Sequence, residues 1–360
     1  MTALLMVACG SSATPRPLGT SRPNDRLSAL VSAAREEASL DLAWAPGFLD
    51  SPEELARYAD AFARQYGFSL RVGFTPEADP TGRLIDDTAA GRVASTDVFL
   101  GTETQINVLA KATALIGETW SSWAPNISSL KLVAPGGVAV EVQSRTPGIT
   151  YNSQKLSGAD IPRSMTDLLK ARYRGRVATT SGATTFDRLG SPDLWGPDRA
   201  LDYVKKLGPQ LGGFMECGDE ARIVNGDFDV FAFDCGSARV AQLKASGGLI
   251  GWAVPADAAF LRYLYMGVPK TAAHPNAARL WINFMVSREA QDVMYQYEFA
   301  DHYLIPGSRS FVEVDRATKA GVKFYELTVE AVQAEEARGF KSQTDRFQSI
   351  FRQSVLPPKR

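Results

Sequence analysis

Apolar positions along the chain switch between a spacing of two and a spacing of three to four, which predicts strands alternating with helices. After a short helix over Leu27–Ala38, Leu40-Asp-Leu-Ala-Trp44 reads as a strand that stops at Ala45-Pro46-Gly47. Ser51-Pro52-Glu53-Glu54 supplies a complete helix start: a hydroxyl N-cap, a proline in the first turn and a glutamate three residues on. Leu55, Tyr58, Ala59, Phe62 and Ala63 then share one helical face. Phe68, Leu70, Val72 and Phe74 alternate with Ser69, Arg71 and Gly73, a strand signal. A helix over Gly82–Ala90 and a strand over Thr96–Leu100, ending in Gly101-Thr102-Glu103, complete a helix-covered and mainly parallel sheet.

The same grammar restarts after Gly148. Thr150-Tyr151-Asn152 closes an extended segment and Ser164–Ala171 predicts a capped helix. Strands are expected at Arg176–Thr180, Gly213–Cys217, Asp229–Phe233 and Leu249–Val254, with helices at Pro197–Leu207, Asp219–Val224 and Ser237–Ala245. Leu261–Val268 then reads as a strand running back, before Pro275 opens a helix with Ala277, Leu280, Trp281, Phe284 and Met285 on one face. The two units share an architecture but no sequence repeat. The expected fold class is therefore α/β and two-lobed, with a ligand cleft at the carboxyl ends of the strands, joined by more than one crossing strand.

Composition narrows what such a cleft serves. A chain of 360 residues favours two lobes over one core. A net charge of −1 offers nothing to nucleic acid. The longest apolar runs, Leu261–Val268 and Trp281–Val286, fall far short of the roughly 20 residues that span a bilayer. The N-terminus is different in kind. Met1–Ala8 is a short apolar run closed by Cys9, followed by a tether rich in Ser, Thr and Pro from Gly10 to about Arg26. This resembles a bacterial lipoprotein signal, which implies lipidation of Cys9 and an extracytoplasmic, membrane-tethered protein. No basic residue precedes Cys9, so the match to such a signal lacks its basic n-region, and the alternative reading is an apolar N-terminus with a chance cysteine. The remaining cysteines, Cys217 and Cys235, form either a disulfide or two buried thiols; no zinc spacing accompanies them.

Four segments resemble the bacterial extracellular solute-binding proteins of ABC importers, in the branch that includes ferric-ion, thiamine, polyamine and phosphonate binders. They are Pro147–Leu156 with its continuation through Pro162–Leu169 and Tyr173–Val177, then Thr180–Thr185, Val224–Phe233 and His274–Gln291. The resemblance implies a periplasmic-binding-protein type II fold that closes by a hinge and carries no catalysis or cofactor of its own. It places lobe one at residues 27–147 plus 263–300, and lobe two at 148–262 plus 301–345. Ferric binders of this branch carry neighbouring tyrosines where Gly236 and Ser237 stand here, and the chain has only His274 and His302. Tyrosinate-held iron is therefore disfavoured, and no metal site is expected.

The expected ligand residues lie at strand ends. In lobe one they are Trp44 and Gly47, then Thr102 and Glu103; Trp44 either stacks on a ring or ammonium group or caps the core. Trp120 and Trp123 are placed on a loop at the cleft mouth. In lobe two, Thr180, Ser181, Gly182 and Thr184 offer hydroxyls and backbone amides to a polar ligand. Cys217, Asp234 and Ser237 complete the set, with Asp234 alternatively a helix cap. Glu103 and Asp234 lean toward an amine, the 180–185 loop toward a phosphate or hydroxylated compound. The expected protein is a monomer that hands a small polar solute to a permease. The alternatives are an enzyme or a sensory module on the same scaffold.

Overall fold

The computed structural model describes residues 23–128, 131–183 and 185–355; Cys9 and Thr184 lie outside them. In chain order, the first unit contains α1 (Pro23–Glu37), β1 (Ser39–Trp44), α2 (Pro52–Tyr66), β2 (Arg71–Pro76), α3 (Pro80–Ala89), β3 (Phe99–Thr102), α4 (Glu103–Lys111), α5 (Pro125–Ser128) and β4 (Val140–Arg145). The second contains β5 (Ile149–Asn152), β6 (Val177–Thr179), α6 (Pro197–Leu207), β7 (Leu211–Phe214), α7 (Ala221–Asn225), β8 (Val230–Ala232), α8 (Ser237–Ala245) and β9 (Ile250–Ala253). Then follow β10 (Ala259–Gly267), α9 (Pro275–Met285), α10 (Arg288–Glu298), α11 (Arg309–Lys319), β11 (Phe324–Leu327), α12 (Val329–Ala337) and α13 (Thr344–Val355).

Local chemistry fixes these elements. At α2, the Ser51 hydroxyl accepts the Glu54 amide at 3.1 Å and Pro52 occupies the first turn. Gly67 ends the helix in the left-handed region at φ 72°, returning its N–H to Ala63. The inward face carries Leu55, Tyr58, Ala61 and Phe62, which pack on Trp281 and Phe284 of α9. Burying this aromatic cluster, at about 1.5–3 kcal/mol per large apolar side chain, anchors α2 and α9 beneath β1.

In the first lobe β1 and β2 pair in parallel, and β10 is the central strand of a second, mixed sheet. Its first half pairs with β11 and its second half with β3, while β4 runs antiparallel along it. The second lobe is one five-stranded sheet of order β7-β6-β8-β5-β9. Chain crosses between the lobes from β4 to β5 and from β9 to β10, and again before α13, which packs on α6 and β7. β11 and α12 join the first lobe, through β10 and α4. The stretch 301–345 therefore does not belong to lobe two alone: β11 and α12 dock on the first lobe, while Glu313, Arg338 and Ser342 bond Ser237, Asp193 and Asp187 of the second.

Three further expectations shift. The strand predicted at Thr96–Leu100 begins only at Phe99. Thr96 and Asp97 instead spend their side chains on β1, accepting the Ala43 amide at 3.0 Å and the Asp41 amide at 2.8 Å. The helix predicted over Ser164–Ala171 is two short turns, Thr166–Leu169 and Ala171–Tyr173, because Asp167 and Asp257 capture its leading amides and Lys170 is extended. Trp120 and Trp123 are buried against each other, with the Trp120 indole N–H donating to the Gly137 carbonyl. They belong to the core, not to a cleft mouth.

Candidate ligand cleft between the lobes

Open α/β lobes present their loops at strand ends, and here those loops face one another across a cavity of about 330 Å³. Lobe one contributes Gly47 and Phe48 after β1, Gln143–Thr146 at the end of β4, and Glu298 at the end of α10. Lobe two contributes Cys217, Gly218 and Glu220 after β7, and Cys235–Arg239 at the start of α8. Arg309 and Ser310, which open α11, close one side.

The lobe-two wall is built by a turn and a covalent tie. Gly236 sits at φ 107°, a backbone state that L side chains rarely adopt, and from it the chain enters α8 with Ser237 on the cavity. Asp234 makes that turn: its carboxylate accepts the Gly148 and Gly236 amides, each at 2.9 Å, and the Thr150 hydroxyl. It is 3 % exposed, and burial pushes its carboxyl above the usual range against those donors. Cys217 and Cys235 form a disulfide, with Cα atoms 5.7 Å apart. β7 and β8 are separated by β6, so their strands stand roughly 9–10 Å apart. The bridge therefore draws the two loops together over the end of β6.

Charge is the cavity's most distinctive property. Arg145 donates its Nε–H to Gln143 at 2.9 Å and lies over the Phe48 ring, 5.2 Å from its centroid. Burial and the neighbouring Arg262 pull its guanidinium down to about 10. Arg239 stands 3.8 Å from Glu220, and its Nε is buried with no hydrogen-bond acceptor among the described residues. Arg309 is neutralised by Glu313 at 2.6 Å, and both groups hold the Ser237 hydroxyl. Glu220 accepts the Gly218 amide at 3.1 Å, and Glu298 accepts the Leu49 amide at 3.0 Å. Burial raises the pKa of both carboxyls. Glu54 lies against Glu298 and is pushed up to about 8, first by burial and then by that neighbour.

Of the residues expected at the site, Gly47, Cys217 and Ser237 line this cavity. The others among the described residues are occupied elsewhere. Trp44 is buried on Phe74, its indole N–H donating to the Phe48 carbonyl at 2.9 Å. Thr102 and Gln105 form the capping box of α4. Glu103 is fully buried and ion-paired with Arg262 at 2.6 Å. Thr180 is buried, Ser181 bonds Glu216 at 2.6 Å, and the Gly182 carbonyl accepts from Gln348. The buried Glu103 and Asp234 carboxylates therefore have protein partners and present no free charge to an amine. Arg145, Glu220, Arg239 and Glu298 went unread in the sequence, since a charged residue inside a strand or helix carries no local mark of what it faces.

Two α/β lobes hinged by crossing strands around a charged cleft define a periplasmic-binding-protein type II fold. Residues 57–323 match the family of bacterial extracellular solute-binding proteins, and the chain belongs to that family. It is 21% identical to the Fe(3+)-binding periplasmic protein of Serratia marcescens over 251 residues, 66% of this chain and 71% of that one. Its fold is similar to that of iron-bound HitA from Pseudomonas aeruginosa, at 18% identity and a TM-score of 0.65, covering 88% of this chain and 99% of that one. The spermidine/putrescine ABC transporter substrate-binding protein PotD from Streptococcus pneumoniae is as alike, at 18% identity, TM-score 0.63, and coverage of 88% and 99%. Among the described residues no helix is long and apolar enough to cross a membrane.

Proposed function

We propose that this protein is the monomeric receptor of an ABC importer, held to the membrane by a lipid on Cys9. It closes its lobes on one small polar solute and presents the closed form to a permease. The observation that carries this reading is the cavity itself, walled by strand ends from both lobes and lined by Arg145 and Arg239, whose hydrogen-bonding capacity the described residues leave incomplete. Closure follows from the architecture: a ligand touching both walls binds the closed state better and shifts the population toward it.

The ferric ligand named for the Serratia relative does not carry over. Tyr297 is the one tyrosine on the cavity wall, and its hydroxyl donates to Glu53 at 3.0 Å while accepting from Arg57. Without a tyrosinate or histidine on that wall, hard Fe(III) meets only the carboxyls of Glu220 and Glu298, each already accepting a backbone amide. An enzyme reading is weakened too, because the thiols of Cys217 and Cys235 are consumed in a disulfide.

The test is thermal unfolding of the protein against a panel of phosphates, carboxylates, amines, sugars and ferric complexes. One class should raise the melting temperature, with a shift that keeps growing with ligand concentration. A melting curve that none of the panel moves would count against the receptor reading.

A further inference from the structure

Resting on the receptor reading, we infer that the solute is a small organic oxyanion, a carboxylate or a phosphate or phosphonate, clamped between Arg145 of lobe one and Arg239 of lobe two. Arg145 is the pivot of the argument. Its guanidinium lines the cavity with its plane set by Phe48 and its Nε held by Gln143. No carboxylate among the described residues lies within 4.0 Å of it, although its neighbours Arg262 and Arg309 each have one. Its Nη groups make no hydrogen bond to described residues, so the fork is presented ready-made for two oxygens.

The opposite wall has the same deficit. Arg239 reaches Glu220 only at 3.8 Å, and its buried Nε–H lacks an acceptor. An unsatisfied buried donor is costly and is ordinarily explained by a partner that is yet to arrive. The N-terminus of α8, a nine-residue helix beginning at Ser237, opens onto the same cavity and favours negative charge there. The two carboxyls on the wall are already engaged by the chain. Glu220 and Glu298 each accept a backbone amide, and burial favours the neutral form of both. Arg145, Arg239 and the α8 N-terminus all favour an anion in the cleft, and a diamine would meet two guanidinium groups on its walls. The volume of about 330 Å³ sits at the small end of ligand sites, which limits the guest to a metabolite of sugar size or less.

The experiment is calorimetric titration of the full chain, as wild type, R145Q and R239Q, with inorganic phosphate, glycerol phosphate, citrate, putrescine and glucose. The expected result is binding of at least one anion at one per chain, weakened about 10-fold or more by each substitution. Citrate alone would name a carboxylate solute; either phosphate alone would name a phosphoryl one. R239Q alters a side chain that is 40% exposed, so its fold is expected to survive if R145Q fails to fold. Binding of putrescine or glucose with no anion binding would overturn the anion assignment while leaving the receptor standing. Anion binding that neither substitution weakens would overturn the clamp. Silence from all five probes would overturn the assignment for these anion classes; the wider melting panel then decides separately whether the receptor reading fails as well.

Discussion

At the residue scale, the raised carboxyl of Glu54 makes a prediction with a defined sign. Glu54 is 1 % exposed and its carboxyl is raised from 4.5 to about 8 in the folded protein. Between those values the folded state holds a proton that the unfolded chain has released, so stability falls as pH rises from about 4.5 to about 8 and levels off above. E54Q, which mimics the protonated acid, should flatten that slope and melt higher than wild type at pH 8. Melting curves across the window check it, and parallel slopes would contradict the assignment. The residue scale is also where sequence reading failed most. Gly47, Cys217 and Ser237 could be set near the cavity they line because strand ends and helix starts carry punctuation. Arg145 was not, since an arginine closing a strand looks the same whether it faces solvent, a carboxylate or an empty cleft. Glu103 and Asp234 misled for the same reason: their partners, Arg262 and the amides of Gly148 and Gly236, are distant in sequence.

At the element scale, the alternation of strands and helices was readable throughout both lobes because each element buries one face at its own period. What the pattern missed are places where a side chain competes with the backbone, as Thr96 and Asp97 do before β3 and Asp167 and Asp257 do after β5. Beyond about Gly307 the pattern gave no elements, and β11, α12 and α13 emerge only through their docking on β10, α4 and α6. The disulfide is the element-scale device that shapes the site. It closes 18 residues of chain and should contribute about 3 kcal/mol, chiefly by restricting the unfolded state. A reductant, or the C217S/C235S double variant, should lower the melting temperature by several degrees and weaken solute binding, because both loops of the lobe-two wall are freed together. An unchanged affinity after verified reduction would show that β6–β8 hold the wall without it.

At the scale of the whole molecule, the lobes meet at two places of different character. On one side polar contacts already span the gap: Arg188 of lobe two donates to the Thr104 hydroxyl at 3.1 Å and to Glu335 at 2.7 Å. Arg262 links Glu103 to Thr185 in the same region. On the other side lies the cavity, with Arg145 of lobe one and Arg239 of lobe two both in its lining. A receptor is built this way when one seam serves as the fixed edge and the other is completed by the solute. The most direct test is to fill that space from within. Ala238, in the first turn of α8, lines the cavity, and A238W would occupy it without touching the hinge strands. Calorimetric titration of wild type and A238W with whichever solute most raises the melting temperature should show one site per chain in the first and at least 10-fold weaker binding in the second. Equal affinity in a folded A238W protein would contradict the account and move the binding site out of the cleft.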